Sequence, residues 1–155
     1  MVWTRVEVRD SGVSRLLSRI LLSDAKRQAM LHEVGKESVR EIQSHFLAQK
    51  TPEGVPWKKS KRAIENPTRP TLMDTMKLFD SIVYSVSGGQ VSAGTNDIRA
   101  GTLNFGARKG QYGAMSNGTP IPWGNIPARK FIGVSSAGQV KVRDVIGRFV
   151  RRLSQ

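Results

Sequence analysis

Two proline-framed segments constrain the backbone of this 155-residue chain more than any other feature. The first reads Pro-Glu-Gly-Val-Pro-Trp at residues 52–57, and the second reads Ile-Pro-Ala-Arg-Lys-Phe at residues 126–131. Proline fixes its own φ and biases the preceding residue towards extended conformations, so both segments are stiff. Each presents a large side chain, Trp57 in the first and Arg129 with Phe131 in the second. Segments of this kind shape a surface, which points to assembly before catalysis.

Charge and cysteine content narrow the class of protein. The chain has 25 Lys and Arg against 12 Asp and Glu, a formal net charge of +13. This excess favours a polyanionic partner, whether nucleic acid, an acidic protein surface or a membrane face. The lack of cysteine excludes disulfides and thiolate metal sites. The apolar stretch at residues 13–22 is too short and too charged to span a bilayer, so we expect a soluble, unexported protein without a membrane partner.

Hydrophobic periodicity predicts the elements of the first half of the chain. Alternation over residues 2–8 predicts a strand, and the leucines and isoleucine at residues 16–21 predict a short amphipathic helix. Asp24 is the predicted N-cap of a long helix that runs to about Gln49. The buried stripe of that helix is predicted to consist of Leu31, Val34, Ser38, Ile42 and Phe46.

The second half shows a hairpin and a second amphipathic helix. Residues 82–86 alternate up to Gly88-Gly89, a tight-turn signal, and the chain returns through residues 91–93. Residues 100–105 fit a strand and a short helix equally, while residues 131–134 are predicted to form a strand. The apolar face of the last helix is predicted to contain Val142, Val145, Ile146, Phe149, Val150 and Leu153.

This order of elements predicts the fold class. We expect one α+β domain over residues 1–155, in which an antiparallel sheet with a β-hairpin packs against the long helix and the C-terminal amphipathic helix. Two long loops, at residues 50–70 and 107–125, complete the chain. Loops of this length are uncommon in compact domains unless they are functional or become ordered on a partner.

No pattern in the chain predicts catalysis. His32 and His45 are thirteen residues apart on one predicted helix and point to nearly opposite sides, so we interpret both as partly exposed helix residues that share no metal. Lys36 and Arg40 interleave the row of glutamates at 33, 37 and 41, which predicts a solvated ion-pair face. Phosphate-binding loops, dinucleotide fingerprints and nucleophile–base pairs are absent from the sequence. We therefore predict a protein that is not an enzyme and has no cofactor or metal site.

Each candidate binding residue has two interpretations, one structural and one functional. Trp57 either pins the first long loop to the sheet or anchors a partner, because aromatic residues and arginine dominate interface hot spots. Arg129 either binds a partner or forms an internal ion pair, for which the acidic candidates are Asp74, Asp80 and Asp97. The run of basic residues beside Trp57 is either a solvated loop or a polyanion contact; it comprises Lys58, Lys59, Lys61 and Arg62.

Several motifs occur in one order along the chain. After the long helix ending near Phe46 come the segment at residues 52–58 and the run Leu-Met-Asp-Thr-Met-Lys-Leu-Phe-Asp-Ser-Ile at residues 72–82. Val-Ser-Ala-Gly-Thr-Asn at residues 91–96, Asn-Phe-Gly at residues 104–106 and the segment at residues 126–133 follow. Together they resemble the phage virion morphogenesis family, the tail-completion proteins of contractile-tailed temperate phages, from about residue 24 to residue 150.

The resemblance implies a structural protein of the phage neck, assembled in the host cytoplasm and retained in the virion. It implies a ring, expected to be hexameric, that joins a finished tail to a filled head. The expected partners are the tail terminator, the tail tube, the head-completion or connector proteins and, non-specifically, packaged DNA. The residues expected at or near subunit contacts are Trp57, Phe105, Arg129 and Phe131.

Two alternatives belong to other classes. A small basic DNA-binding protein would use the C-terminal helix and the loop at residues 58–62. An adaptor for an acidic protein or a membrane surface rests on charge alone.

Overall fold

A computed structural model describes the backbone of residues 2–6 and all atoms of residues 23–153. The strands are β1 (Val2–Val6), β2 (Val83–Ser87) and β3 (Gln90–Thr95). The helices are α1 (Asp24–Ala48), α2 (Lys61–Glu65), α3 (Lys77–Asp80), α4 (Ala100–Phe105) and α5 (Ser136–Leu153). The short amphipathic helix predicted at residues 16–21 lies outside the described residues. The predicted α+β fold is confirmed.

Helix α1 is the longest element and begins one residue earlier than predicted. Ser23, not Asp24, is the N-cap, because its Oγ accepts a hydrogen bond from the Lys26 amide at 3.4 Å. Asp24 instead occupies the first turn, where its negative charge interacts favourably with the positive end of the helix dipole. The helix is capped at its C-terminal end by Gln49, which adopts a left-handed conformation with φ 54°. All five residues of the predicted buried stripe are buried.

Among the described residues, the sheet has three antiparallel strands in the order β1-β3-β2. Val2 pairs with Thr95 across one side of β3, and Val83 pairs with Gly94 across the other. The predicted hairpin is confirmed: Gly88 and Gly89 have φ values of 56° and 79°, as a two-residue turn between twisted strands requires.

Two apolar clusters hold the helices to the sheet and loops. Helix α1 contributes to both clusters. The first contains Ile42, Phe46, Trp57, Leu78, Ile82, Ala93, Ala100, Phe131 and Ile132. The second joins α1 to α5 and contains Met30, Leu31, Val34, Val91, Val142, Val145, Ile146 and Phe149.

The loops contain more local structure than predicted, and one predicted strand is wrong. Residues 61–65 form α2 within the first loop, and residues 100–105 form a helix, α4. Residues 131–134 are not a strand. The side-chain oxygen of Asn104 accepts hydrogen bonds from the Phe131 and Ile132 amides at 2.9 and 3.0 Å. This side chain therefore takes the place that a neighbouring strand would have as the hydrogen-bond acceptor.

Candidate functional site

The two proline-framed segments, distant in sequence, lie side by side. The indole Nε1 of Trp57 donates to the Lys130 carbonyl at 3.0 Å. Glu53 forms an ion pair with the Lys130 ammonium, and this hydrogen bond is the main reason that the pKa of Glu53 falls to about 2. The structure therefore joins the two segments that carry the predicted interface residues.

Trp57 and Phe131 are buried within the subunit, on either side of one phenylalanine of α1. Phe46 meets the Trp57 ring edge-on at 5.5 Å and the Phe131 ring at 4.9 Å between centroids. Trp57 is 6% exposed and Phe131 is fully buried. Of the two interpretations given for Trp57, the geometry favours the one in which it pins the loop, but the contacts that hold it are to Phe46 of α1 and to Lys130 rather than to the sheet. Both residues can fix the backbone beneath a contact surface, but their rings are too buried to touch a partner there.

Arg129 is also buried, at 7% exposure, and has no carboxylate partner among the residues that the structure describes. Its Nε donates to the Lys58 carbonyl at 2.8 Å, and its amide donates to the Leu103 carbonyl at 2.9 Å. The lack of a compensating charge leaves burial alone to act on the guanidinium, and burial lowers the pKa of Arg129. None of the ion pairs considered for Arg129, with Asp74, Asp80 or Asp97, forms.

Those carboxylates serve other arginines. Asp74 pairs with Arg62 at 2.8 Å and with Arg69 at 3.4 Å. Asp97 pairs with Arg99 at 2.6 Å, and the Arg99 hydrogen bonds lower the pKa of the Asp97 carboxyl. Arg62, predicted as a polyanion contact, is therefore partly neutralised within the subunit.

The other three predicted polyanion contacts remain available. Lys58, Lys59 and Lys61 are exposed, and none forms an ion pair with a residue that the structure describes. Ser60 lies among them and caps α2, because its Oγ accepts the Ala63 amide at 3.2 Å. The backbone that carries these lysines is thus fixed while their ammonium groups face solvent.

Phe105 is the one predicted interface residue with an open ring, at 71% exposure. It ends α4 at the base of an irregular arm, residues 107–126, whose backbone bridges join Ala107 to Ile126 and Ala114 to Pro120. The exposed apolar side chains on and beside the arm are Ile98, Phe105, Tyr112, Met115 and Trp123. An open groove of about 610 Å³ lies between α4 and the arm, with Ile98, Phe105 and Tyr112 in its lining.

Asn104 is a site-shaping residue that periodicity did not single out. It is 2% exposed, and its Oδ1 ties α4 to the second proline-framed segment through the two amides described above. The available signal was its place in the Asn-Phe-Gly motif, next to Phe105. Gly106 follows it with φ 77°, and a Cβ there would lie 2.7 Å from the Ile126 carbonyl oxygen.

One predicted solvated residue is buried instead. Glu41 is 2% exposed, accepts a hydrogen bond from Ser135 and pairs with Lys141 at 3.2 Å. His45, predicted as partly exposed, is 5% exposed; its Nδ1 lies 2.9 Å from the Phe131 carbonyl and its Nε2 lies 3.4 Å from Glu41. The serine therefore bonds the carboxylate rather than the imidazole, so this cluster ties α1 to the start of α5 and is not arranged as a nucleophile–base pair.

Metal-ligand clusters and membrane spans are both missing from the described ranges. No three His, Cys, Asp or Glu residues among them lie together as metal ligands would. No helix there has the length and apolar character needed to cross a membrane.

These observations define a small, strongly basic α+β domain that displays an apolar arm and, on another loop, three exposed lysines without an acidic partner among the described residues. The chain belongs to the phage virion morphogenesis family, whose sequence model matches residues 8–151. Membership indicates a structural or assembly role in the phage particle, which agrees with the non-enzymatic role predicted from the sequence. Neither curated proteins nor solved structures gave a match.

Proposed function

We propose that the protein is a neck or tail-completion subunit, which forms a hexameric ring at the head-proximal end of the tail and enables heads and tails to join. Family membership supports the setting, a phage particle under assembly. The choice of a ring subunit rests on the exposed apolar surface of the arm. The partners would be a neighbouring copy of the chain and the proteins above and below the ring.

The arm is the observation that carries this proposal. The side chains of Ile98, Phe105 and Trp123 are 91%, 71% and 82% exposed. Large apolar patches that are exposed in this way are typical of interaction sites. The arm holds its shape by its own hydrogen bonds, such as Gly110 N to Pro122 O at 2.9 Å and Tyr112 N to Ile121 O at 2.8 Å. A preformed arm binds with a smaller loss of conformational entropy than a flexible loop.

A contact between this arm and a different face of the next copy is heterologous. Repeated head-to-tail, such a contact closes into a ring when the rotation between subunits allows it. The stiff proline-framed segments would support the arm from below, because Arg129 and Asn104 bond across its base. The buried Trp57 and Phe131 would then act on assembly indirectly, by holding that base in place.

The function is tested by electron microscopy of lysates from a phage or prophage that lacks this gene. We expect filled heads beside unjoined tails, and joined virions again when the gene is supplied in trans. Normal joined virions from the deletion would contradict the proposal.

The surface is tested with the double variant Phe105→Ser, Trp123→Ser. We expect it to remain folded, because both side chains are exposed, but to lose ring formation in native mass spectrometry and to fail in complementation. Val140→Ser on α5, which removes an apolar side chain that is 53% exposed, is the matched control and should assemble normally. Rings formed equally well by the double variant would assign the subunit contact to another face.

A further inference from the structure

Arg129 is a buried cation that no described residue of the subunit neutralises. It is 7% exposed, and the one hydrogen bond that its side chain makes to these residues runs from Nε to the Lys58 carbonyl. Buried charges are normally paired, because removing an ion from water is unfavourable unless a counter-charge replaces the lost hydration. Within the described residues no carboxylate takes that place, and Asp74 already serves Arg62 and Arg69.

The loop to which Arg129 is bonded adds three more charges that no described residue compensates. Arg129 is bonded to the backbone of Lys58, and Lys59 and Lys61 follow within three residues. All three ammonium groups are exposed, and the described residues supply no acidic partner for them. One external carboxylate would neutralise one of these four cations, whereas a phosphodiester chain offers a negative charge at every step.

The backbone at this position is held in place before any ligand binds. The Ser60 amide donates to Thr71 Oγ1 at 3.1 Å, and Thr71 is 1% exposed. Trp57, the residue before Lys58, is anchored by the hydrogen bond from its indole to the Lys130 carbonyl. A backbone that is fixed in this way, bonded to a guanidinium and bearing exposed lysines, suits an anion with several oxygens, because arginine binds phosphate through two parallel hydrogen bonds.

We infer that Arg129, Lys58, Lys59 and Lys61 form a binding site for the phosphate backbone of nucleic acid. This inference is independent of the proposed ring contact, which uses the arm. It assigns four of the 25 basic residues to one site, and in the neck role proposed above it would let the protein hold the DNA that leads out of a filled head.

The test is fluorescence anisotropy of the full chain with a short labelled duplex of random sequence, titrated at several salt concentrations. The triple variant Lys58→Ala, Lys59→Ala, Lys61→Ala should reduce the slope of log affinity against log salt by roughly 0.9 for each phosphate that the variant no longer neutralises. Because these side chains are exposed, the triple variant should fold normally. Arg129→Met should weaken binding by roughly tenfold at fixed salt, because it removes one strong charge-assisted hydrogen-bonding group.

Arg148→Met on α5 is the matched control, because it removes an exposed arginine that has no acidic partner in the described part of the chain. We expect wild-type affinity and slope. Equal decreases in affinity for Arg148→Met and Arg129→Met would overturn the site, since the binding would then follow total charge. The site would also be overturned if the affinity of the wild-type protein for the duplex did not depend on salt concentration. Arg129-dependent binding of a poly-glutamate peptide without duplex binding would assign the site to an acidic protein. None of these results bears on the complementation assay, so the ring proposal stands or falls separately.

Discussion

At the residue scale, Gly138 shows how closely α1 and α5 approach. A Cβ at this position would lie 2.4 Å from Glu41 Cδ and 2.6 Å from Oε1. Glu41 cannot move freely, because Ser135 and Lys141 hold its carboxylate. The approach of α5 to α1 therefore requires glycine here, although nothing in the spacing of the helix demands it.

Gly138→Ala should destabilise the protein by roughly 1–3 kcal/mol, the usual effect of overpacking a well-packed site. Gly147→Ala in the same helix is the control, because the nearest atom to its added Cβ is the flexible end of Arg151 at 3.5 Å. That change should stabilise by up to about 1 kcal/mol through helix propensity. Urea unfolding of both variants measures the pair. Changes of the same sign in both would contradict the packing of Gly138 against Glu41.

Glu41 gives a stability effect that depends on pH. Burial by itself raises the pKa of this carboxyl, but hydrogen bonds from Ser135 and Lys141, with the charges of Lys141 and His45, outweigh it and lower the pKa below 4.5. A carboxyl with a depressed folded-state pKa stabilises the fold above its unfolded-state pKa. That contribution is lost as the pH falls through the folded-state pKa.

Glu41→Gln should therefore lower the free energy of unfolding by roughly 1–3 kcal/mol at neutral pH, and the difference from wild type should close well below pH 4.5. The control is Glu37→Gln, which breaks an ion pair with the exposed Arg40 and should change stability by less than about 1 kcal/mol. Denaturant unfolding at the two pH values decides the matter. A gap that persists in acid would mean that the Gln variant disturbs packing rather than charge.

The sequence predicts residues well where the periodicity of one element decides their environment. The stripe from Leu31 to Phe46 is buried as the helical period requires. Glu41 was wrongly predicted as solvated because its partners, Ser135 and Lys141, lie about a hundred residues away in sequence. For the same reason no local pattern indicated that Arg129 would be buried without a carboxylate.

At the element scale, the helices and the hairpin follow from pattern, while the loops follow from single side chains. Residues 131–134 have a strand-like sequence, but Asn104 takes their amides and no strand pairs with them. The first loop is fixed in a similar way by Trp57, through one hydrogen bond and one ring contact. Such contacts lie outside what hydrophobic periodicity can predict.

Trp57→Phe tests whether this one side chain holds the loop. The variant keeps an aromatic ring against Phe46 but loses the bond to the Lys130 carbonyl, so we expect a destabilisation of roughly 1–3 kcal/mol and faster tryptic cleavage after Lys58 and Lys59. Trp123→Phe is the matched control, because Trp123 is 82% exposed and should change stability by less than about 0.5 kcal/mol. Unchanged cleavage in Trp57→Phe would show that the ring contact alone secures the loop.

At the scale of the whole molecule, net charge opposes one proposed interaction and favours the other. Identical subunits that each carry a formal charge of +13 repel one another as they approach. A ring contact made through the apolar arm gains nothing from this charge, so added salt should screen the repulsion and strengthen association. Duplex DNA binding at Arg129 and the lysines should respond in the opposite direction, because binding releases counterions from the DNA and this release is less favourable at high salt concentration.

The two interactions should therefore separate in a single salt series. Raising the salt from about 0.05 M to 0.5 M shortens the screening length several-fold, so the fraction of rings in sedimentation velocity should rise while the anisotropy with duplex DNA falls. The variant Phe105→Ser, Trp123→Ser should lose only the first response, and the triple lysine variant should weaken only the second. Because the triple variant also carries three fewer positive charges, its rings should form at lower salt than those of wild type. Ring formation that weakens with salt would instead mean that ion pairs join the subunits, and the assembly contact would then have to be sought among the charged faces of α1 and α5.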